Sequence, residues 1–305
     1  MKIYTLSDIT LVSSNVAGST YDEYASGTTY ATGNNVKVSF ESDGVTPIFP
    51  VLEYESLADA NQGNYPPDSP AKWSEIGAEN RCKMFDAYLN TQTANTDDIE
   101  VVVNANNVNA VGLFGLYGAS VTLKLVRNTV TLKEETIDLR IFVPQTGWYA
   151  WLYQSSVYGI SKLIWEFGKH ATGTTLEITI TARSGAAACG IVALGNGKGL
   201  GTTVYSPQTG IDDYSVTAED ALGRTYLSQG NYADRAEIDM WVPNADHDYV
   251  RQQLVDARGI ASMYDLNNSG TAYQSLQIYG YPQSFSIIIP GAIRSKCALE
   301  IKGLV

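Results

Sequence analysis

The sequence is poor in the side chains that carry most catalysis and most nucleic-acid contacts: it has two histidines, three cysteines and no run of Lys or Arg. Charged residues make up 17% of it, against roughly 25% in an average soluble domain. Nucleophilic and hydrolytic sites need a base, and His170 and His247 are the imidazoles available. His170 follows Glu166-Phe-Gly-Lys in an expected turn, and His247 stands between Asp246 and Asp248 at an expected helix start. Surface histidines are the simpler reading of both, and no Gly-x-Ser-x-Gly elbow presents a serine for attack. Cys82, Cys189 and Cys297 are odd in number and far apart, with no Cys-x-x-Cys pair. That spacing argues against a zinc site or a disulfide framework and suits a protein made in a reducing cytoplasm.

Positive charge is also short. Thirty-two acidic against 20 basic residues leave a formal charge of −12. Such a field repels polyphosphate, so no nucleic-acid partner is expected. No stretch approaches the roughly 18–20 apolar residues of a membrane span, so no membrane insertion is expected. The start, Met1-Lys-Ile-Tyr-Thr-Leu-Ser-Asp, lacks the apolar region of a secretory signal, and a soluble product is expected.

Three local patterns invite chemistry and fail on context. Gly195-Asn-Gly-Lys-Gly-Leu-Gly is rich enough in glycine for a phosphate loop, but Lys198 is followed by Gly199 and no helix signal comes after it. A flexible linker or tight hairpin between domains is the expected role. Asn244-Ala-Asp246-His-Asp248 lacks the central Gly and later Glu of a calcium loop, and helix capping explains its acids. Asp97-Asp98, Glu134-Glu135 and Asp212-Asp213 offer paired carboxylates of the kind glycoside cleavage uses. Neighbours on a strand point to opposite faces, however, so adjacency makes no catalytic pair. The expectation is no catalytic residue, no metal and no cofactor: a protein that is not an enzyme.

Strand patterns dominate what is present. Val36-Lys-Val-Ser-Phe, Ile99-Glu-Val-Val-Val, Val121-Thr-Leu-Lys-Leu-Val and Leu176-Glu-Ile-Thr-Ile-Thr alternate apolar and polar side chains between Gly, Asn, Pro and Thr. Leu176, Ile178 and Ile180 share one face, the half-buried antiparallel pattern. A helix is expected near Asp246–Arg258, capped by Asn244 or Asp246, with Tyr249, Val250, Leu254 and Val255 as its apolar stripe and Gly259 beyond its end. The expected fold is mainly β, in three segments. Residues 1–79 form a small three-stranded module, 80–204 a β-sandwich of jelly-roll type, and 205–305 a β-rich domain with one helix. Twenty tyrosines against seven phenylalanines suit half-exposed strand faces and subunit interfaces.

The most specific local signal lies in residues 24–77. It runs Tyr24-Ala-Ser-Gly-Thr-Thr-Tyr30-Ala-Thr-Gly33-Asn34-Asn-Val36, then Val51-Leu-Glu-Tyr54, then Tyr65-Pro-Pro and Trp73-Ser-Glu-Ile-Gly77. Aliphatic side chains are few here, so rings must supply most of a small core. The pattern resembles the chitin-binding type of small carbohydrate-binding module, with Tyr24, Tyr30, Gly33, Val36, Tyr54, Trp73 and Gly77 at matching positions. Asn34 stands where that family has Asp, and Glu55-Ser-Leu-Ala replaces its tryptophan-bearing segment. The resemblance implies a glycan platform of Tyr24, Tyr54, Tyr65 and Trp73, with core packing as the alternative for each ring. The continuation Trp73-Ser-Glu-Ile-Gly-Ala-Glu-Asn80-Arg-Cys-Lys-Met84-Phe85-Asp86 is similar to a junction in structural proteins of tailed bacteriophages that leads into a galactose-binding-like sandwich. It implies Met84 and Phe85 as anchors between module and sandwich, with Asn80 and Asp86 holding the turn.

In the middle segment, Trp148-Tyr-Ala-Trp151-Leu-Tyr153 puts large rings on both faces of a strand, marking Trp151 and Tyr153 as candidates for a contact surface. The resemblances imply a structural component of a tailed-phage virion, made in the host cytoplasm and placed at the tail or tail tip. Its partners would be other virion proteins and copies of itself. The alternatives are a decorating or receptor-binding protein that holds a host-surface glycan and, behind it, a polysaccharide-degrading enzyme.

Overall fold

The computed structural model describes residues 1–141, 147–148, 152, 157–204, 207–220, 223–267 and 273–305. The protein is mainly β, with 52% of it in strands arranged as antiparallel sheets, one of which curls into a half-barrel. Trp151 and Tyr153 lie outside the described residues.

The small module is a three-stranded sheet of Asn35–Phe40, Pro47–Ser56 and Trp73–Ala78, paired in that order. Val36 and Val38 turn inward from the first strand and meet Tyr30, Tyr54 and Trp73. The first fourteen residues of the expected 1–79 segment pair elsewhere. Lys2–Ser7 runs between Ile191–Gly199 and Ser262–Asp265, and Leu11–Ser14 joins Ile99–Asn104.

A five-stranded sheet runs in the order Val130–Asp138, Ser120–Arg127, Thr174–Thr181, Ile99–Asn104, Leu11–Ser14. Period-two burial is clean along its three central strands: Leu176, Ile178 and Ile180 face Val121, Leu123 and Leu125 on one side of the pleat. Opposite lies the larger sheet, whose path is Lys162–Glu166, Ala110–Phe114, Ile191–Gly199, Lys2–Ser7, Ser262–Asp265, Gln277–Ile288, Arg294–Gly303, Tyr232–Pro243, Thr202–Thr203. Gln208–Asp213 also pairs with Tyr232–Pro243.

This sheet crosses the expected boundary at residue 204, so the middle and last segments share it. Its faces belong to three cores. Val111, Leu113, Val192 and Leu194 pack against the five-stranded sheet. Ala110, Phe114, Ile191, Ala193, Tyr4, Met263 and Tyr279 fill a second core on the other face of the same strands. Ile3, Tyr264, Ile278, Ile238, Met240 and Leu299 form the third, under the helix. Being covered on both faces is why Ala110–Phe114 is apolar at every position.

Two expectations are corrected here. The Gly195–Gly201 stretch is no linker, because Ile191–Gly199 is a central strand of the large sheet. Its glycines give room to the Tyr4 ring of the neighbouring strand Lys2–Ser7. A Cβ on Gly197 would stand 2.6 Å from Cε1 of Tyr4, and one on Gly195 would stand 2.9 Å from the carbonyl oxygen of Thr5. The helix His247–Asp256 buries Val250 and Leu254 and ends before Gly259 at φ +71°, but neither Asn244 nor Asp246 caps it by its side chain. Asn244 instead donates from Nδ2 to the carbonyl of Gly291 (2.9 Å) and accepts from the Ser295 hydroxyl (2.8 Å), tying the helix start to a neighbouring hairpin.

Candidate binding and assembly surfaces

The four rings of the expected glycan platform are the module's own core and its edge. Trp73 and Tyr54 are buried, and Trp73 donates from its indole nitrogen to the carbonyl of Asn64 at 2.9 Å. Tyr24 stacks on Tyr30 with ring centres 5.9 Å apart, and Trp73 meets both rings edge-on. Tyr65 closes the edge of the cluster and donates to the carbonyl of Phe40 at 2.7 Å. Burial, with Glu75 nearby, pushes the Tyr54 hydroxyl up to about 12. A three-stranded sheet with few aliphatics uses these rings for cohesion, which takes the faces of Tyr54 and Trp73 away from any ligand.

The junction binds module to sandwich through small, fully made contacts. Asn80 and Ala94 exchange hydrogen bonds, Nδ2 to carbonyl at 2.9 Å and backbone N–H to Oδ1 at 3.1 Å. Met84 is buried in the sandwich core, and its N–H donates to the Thr93 hydroxyl at 2.9 Å. The Phe85 ring lies 5.2 Å from that of Phe49 in the module, while Asp86 accepts from Tyr88 N–H and the Thr91 hydroxyl. Glu79 is a buried carboxylate at the same place. It accepts from Ser19 N–H at 2.8 Å and pairs with Arg81, so chain entering the module is fastened to chain leaving it. Nothing in its local sequence marks it, since Ser19 lies sixty residues away.

Most of the residues that suggested chemistry make contacts within the fold. His170 Nε2 lies 3.2 Å from the carbonyl oxygen of Phe167, and His247 Nδ1 is buried with no hydrogen-bond partner among the described residues. Asp98 accepts from Ala182 N–H, Glu135 from the Trp165 indole, and Asp213 from Ser215. Asp212 lies between Lys302 (2.9 Å) and Arg235 (3.9 Å), and Lys302 holds its carboxyl below the usual range. Among the described residues no cluster of three or more His, Cys, Asp or Glu could hold a metal ion.

A cleft of about 780 Å³ opens where the curled sheet nearly meets itself. Its seam is the Lys162–Asp234 ion pair, joining the edge strand Lys162–Glu166 to Tyr232–Pro243. One wall is Leu89, Asn90, Gln92 and Tyr117; the other is the loop Gln229–Gly230–Asn231–Tyr232. No periodicity announced these residues, because four separate stretches of chain supply them.

Exposed apolar groups gather at two projections. The ribbon of Val216–Glu219 paired with Thr225–Ser228 is exposed at every residue, and Leu227 is 80% exposed. Beyond it, the hairpin of Gln277–Ile288 and Arg294–Gly303 ends in Ile289-Pro-Gly-Ala-Ile293, with Ile289 61% and Ile293 84% exposed. The apolar run Ile287-Ile-Ile before Pro290-Gly breaks strand alternation and is the sequence signal for this tip. Trp148 is exposed as well. No protein-family model matches the sequence, and comparison with curated proteins finds no match.

Proposed function

We propose that this protein is a non-enzymatic structural component of a tailed-phage virion, at the tail or tail tip, assembling through its β-domains with copies of itself and other virion proteins. The observation that carries the assembly part is the pair of apolar projections. A two-stranded ribbon exposed on both faces is marginal in water by itself, and contiguous exposed apolar groups mark interaction surfaces. Burial of Leu227, Ile289 and Ile293 against neighbouring subunits would remove them from water at about 25 cal/mol per Å² of apolar area. The phage part rests on the resemblance of residues 73–86 to the junction described above. Here those residues form a fastened joint between module and sandwich, a sound arrangement for a part that bears load.

Two measurements test the reading. Mass spectrometry and electron microscopy of purified particles should find the chain in the virion, and sedimentation of the isolated protein should show concentration-dependent association. A chain absent from the particle would end the virion assignment. A strictly monomeric protein at high concentration, indifferent to substitution of both projections, would remove self-assembly.

A further inference from the structure

We propose that the cleft at the sheet seam is a binding site for a neutral saccharide, separate from the aromatic module and from the apolar projections. Its lining has the chemistry that recognises a sugar. Gln92, Asn90, Gln229 and Asn231 each carry an amide able to donate and accept, matching the mixed character of hydroxyl groups. Tyr232 brings an exposed ring, on which the C–H face of a pyranose can lie, and Tyr117 stands in the opposite wall. Lys162 and Asp234 neutralise each other, so this pair selects neither an anion nor a cation. Its size falls within the roughly 300–1,000 Å³ of small-molecule sites.

Both walls are held before any ligand arrives. Thr91 donates to Asp86 (2.7 Å) with its hydroxyl also 3.0 Å from the carbonyl oxygen of Tyr88, and Gln92 reaches the carbonyl of Gly115 (3.4 Å). Arg183 covers the Tyr117 ring, its guanidinium 4.2 Å from the ring centre. On the far wall, Gly230 N–H donates to the Ser215 hydroxyl (3.0 Å) and Tyr214 N–H to the carbonyl of Asn231 (3.0 Å). A side chain at Gly230 would overlap the Tyr214 carbonyl, so the loop takes this path only with glycine there. The amides of Asn90, Gln229 and Asn231 make no hydrogen bond to the described residues and remain open to a ligand. Walls ordered in advance reduce the entropy lost on binding.

The test is calorimetry and saturation-transfer NMR on the full chain with three neutral probes: the N-acetylglucosamine trimer, maltotriose and a β-galactose trisaccharide. At least one probe should bind, with Tyr232→Ala and Asn231→Ala each weakening it about tenfold, the loss typical of one good contact. Both positions are exposed, so unfolding midpoints should stay at the wild-type value and show that the variants fold. Tyr24→Ala, in the module, should leave binding unchanged. The proposal is overturned if none of the probes binds, if both cleft variants bind like wild type, or if Tyr24→Ala alone abolishes binding. None of these outcomes bears on whether the chain is found in the particle.

Discussion

Lys162 Nζ pairs with Asp234 Oδ2 across the seam of the curled sheet, a contact between residues 72 apart in sequence. Their side chains are 13% and 20% exposed, so the pair is mostly shielded from water. Lys162→Met leaves a half-buried carboxylate without its cation. The expected loss is about 2 kcal/mol in urea unfolding, below the roughly 3–5 kcal/mol of a fully buried pair because some solvent screening remains. The double variant Lys162→Met/Asp234→Leu should recover most of it. A single variant as stable as wild type would show that the ion pair does not hold the seam.

Gly197→Ala sets a methyl against the Tyr4 ring, which is fully buried and held by its hydroxyl donating to Glu166 at 2.7 Å. A ring pinned at both ends has little room to yield, so a destabilisation of about 1–3 kcal/mol is expected. Removing the ring in Tyr4→Leu/Gly197→Ala should give a smaller loss than the two single changes added together. Additive losses in that cycle would mean that the strand's glycines serve something other than Tyr4.

The three thiols are buried and free of disulfides. Burial raises them from the ordinary value of about 8.5 to about 11 at Cys82 and Cys297 and about 12 at Cys189. A raised folded-state value gives a stability contribution fully present below the unfolded value and lost as pH climbs through the folded one. Stability should therefore begin to fall above about pH 8.5 and continue falling to about pH 11 for Cys82 and Cys297 and to about pH 12 for Cys189. At pH 8 a disulfide-exchange reagent should titrate the thiols only after unfolding. Rapid native labelling would contradict their burial.

Ile293→Ser and Leu227→Ser remove apolar groups that touch little of their own chain. Unfolding free energy should change by less than about 0.5 kcal/mol, as for ordinary surface positions. Self-association in sedimentation velocity should weaken while stability holds. Undiminished association of the double variant would move the assembly surface elsewhere.

Alternating strands were legible where burial follows a period of two. Leu176, Ile178 and Ile180 read as one buried face and are one. Trp73 and Tyr54 were legible as aromatic residues with a role in a small module, but ligand platform and core have the same sequence signature. Only the placement of Tyr24 and Tyr30 against Trp73 separates them. The glycine stretch misled for a related reason. Glycine favours linkers locally, and the Tyr4 ring that requires it here arrives from nearly two hundred residues away.

By itself the sequence determined the mainly β class, a helix near residue 250 and the ring-built module, because propensity, periodicity and composition act over a few residues. Tertiary structure alone decided that residues 2–7 lie at the centre of a sheet, that this sheet spans two expected segments, and that Lys162 and Asp234 close it into a cleft. Those outcomes depend on which strand edges meet and which faces need covering. Such choices are made between distant parts of the chain, and no local pattern records them.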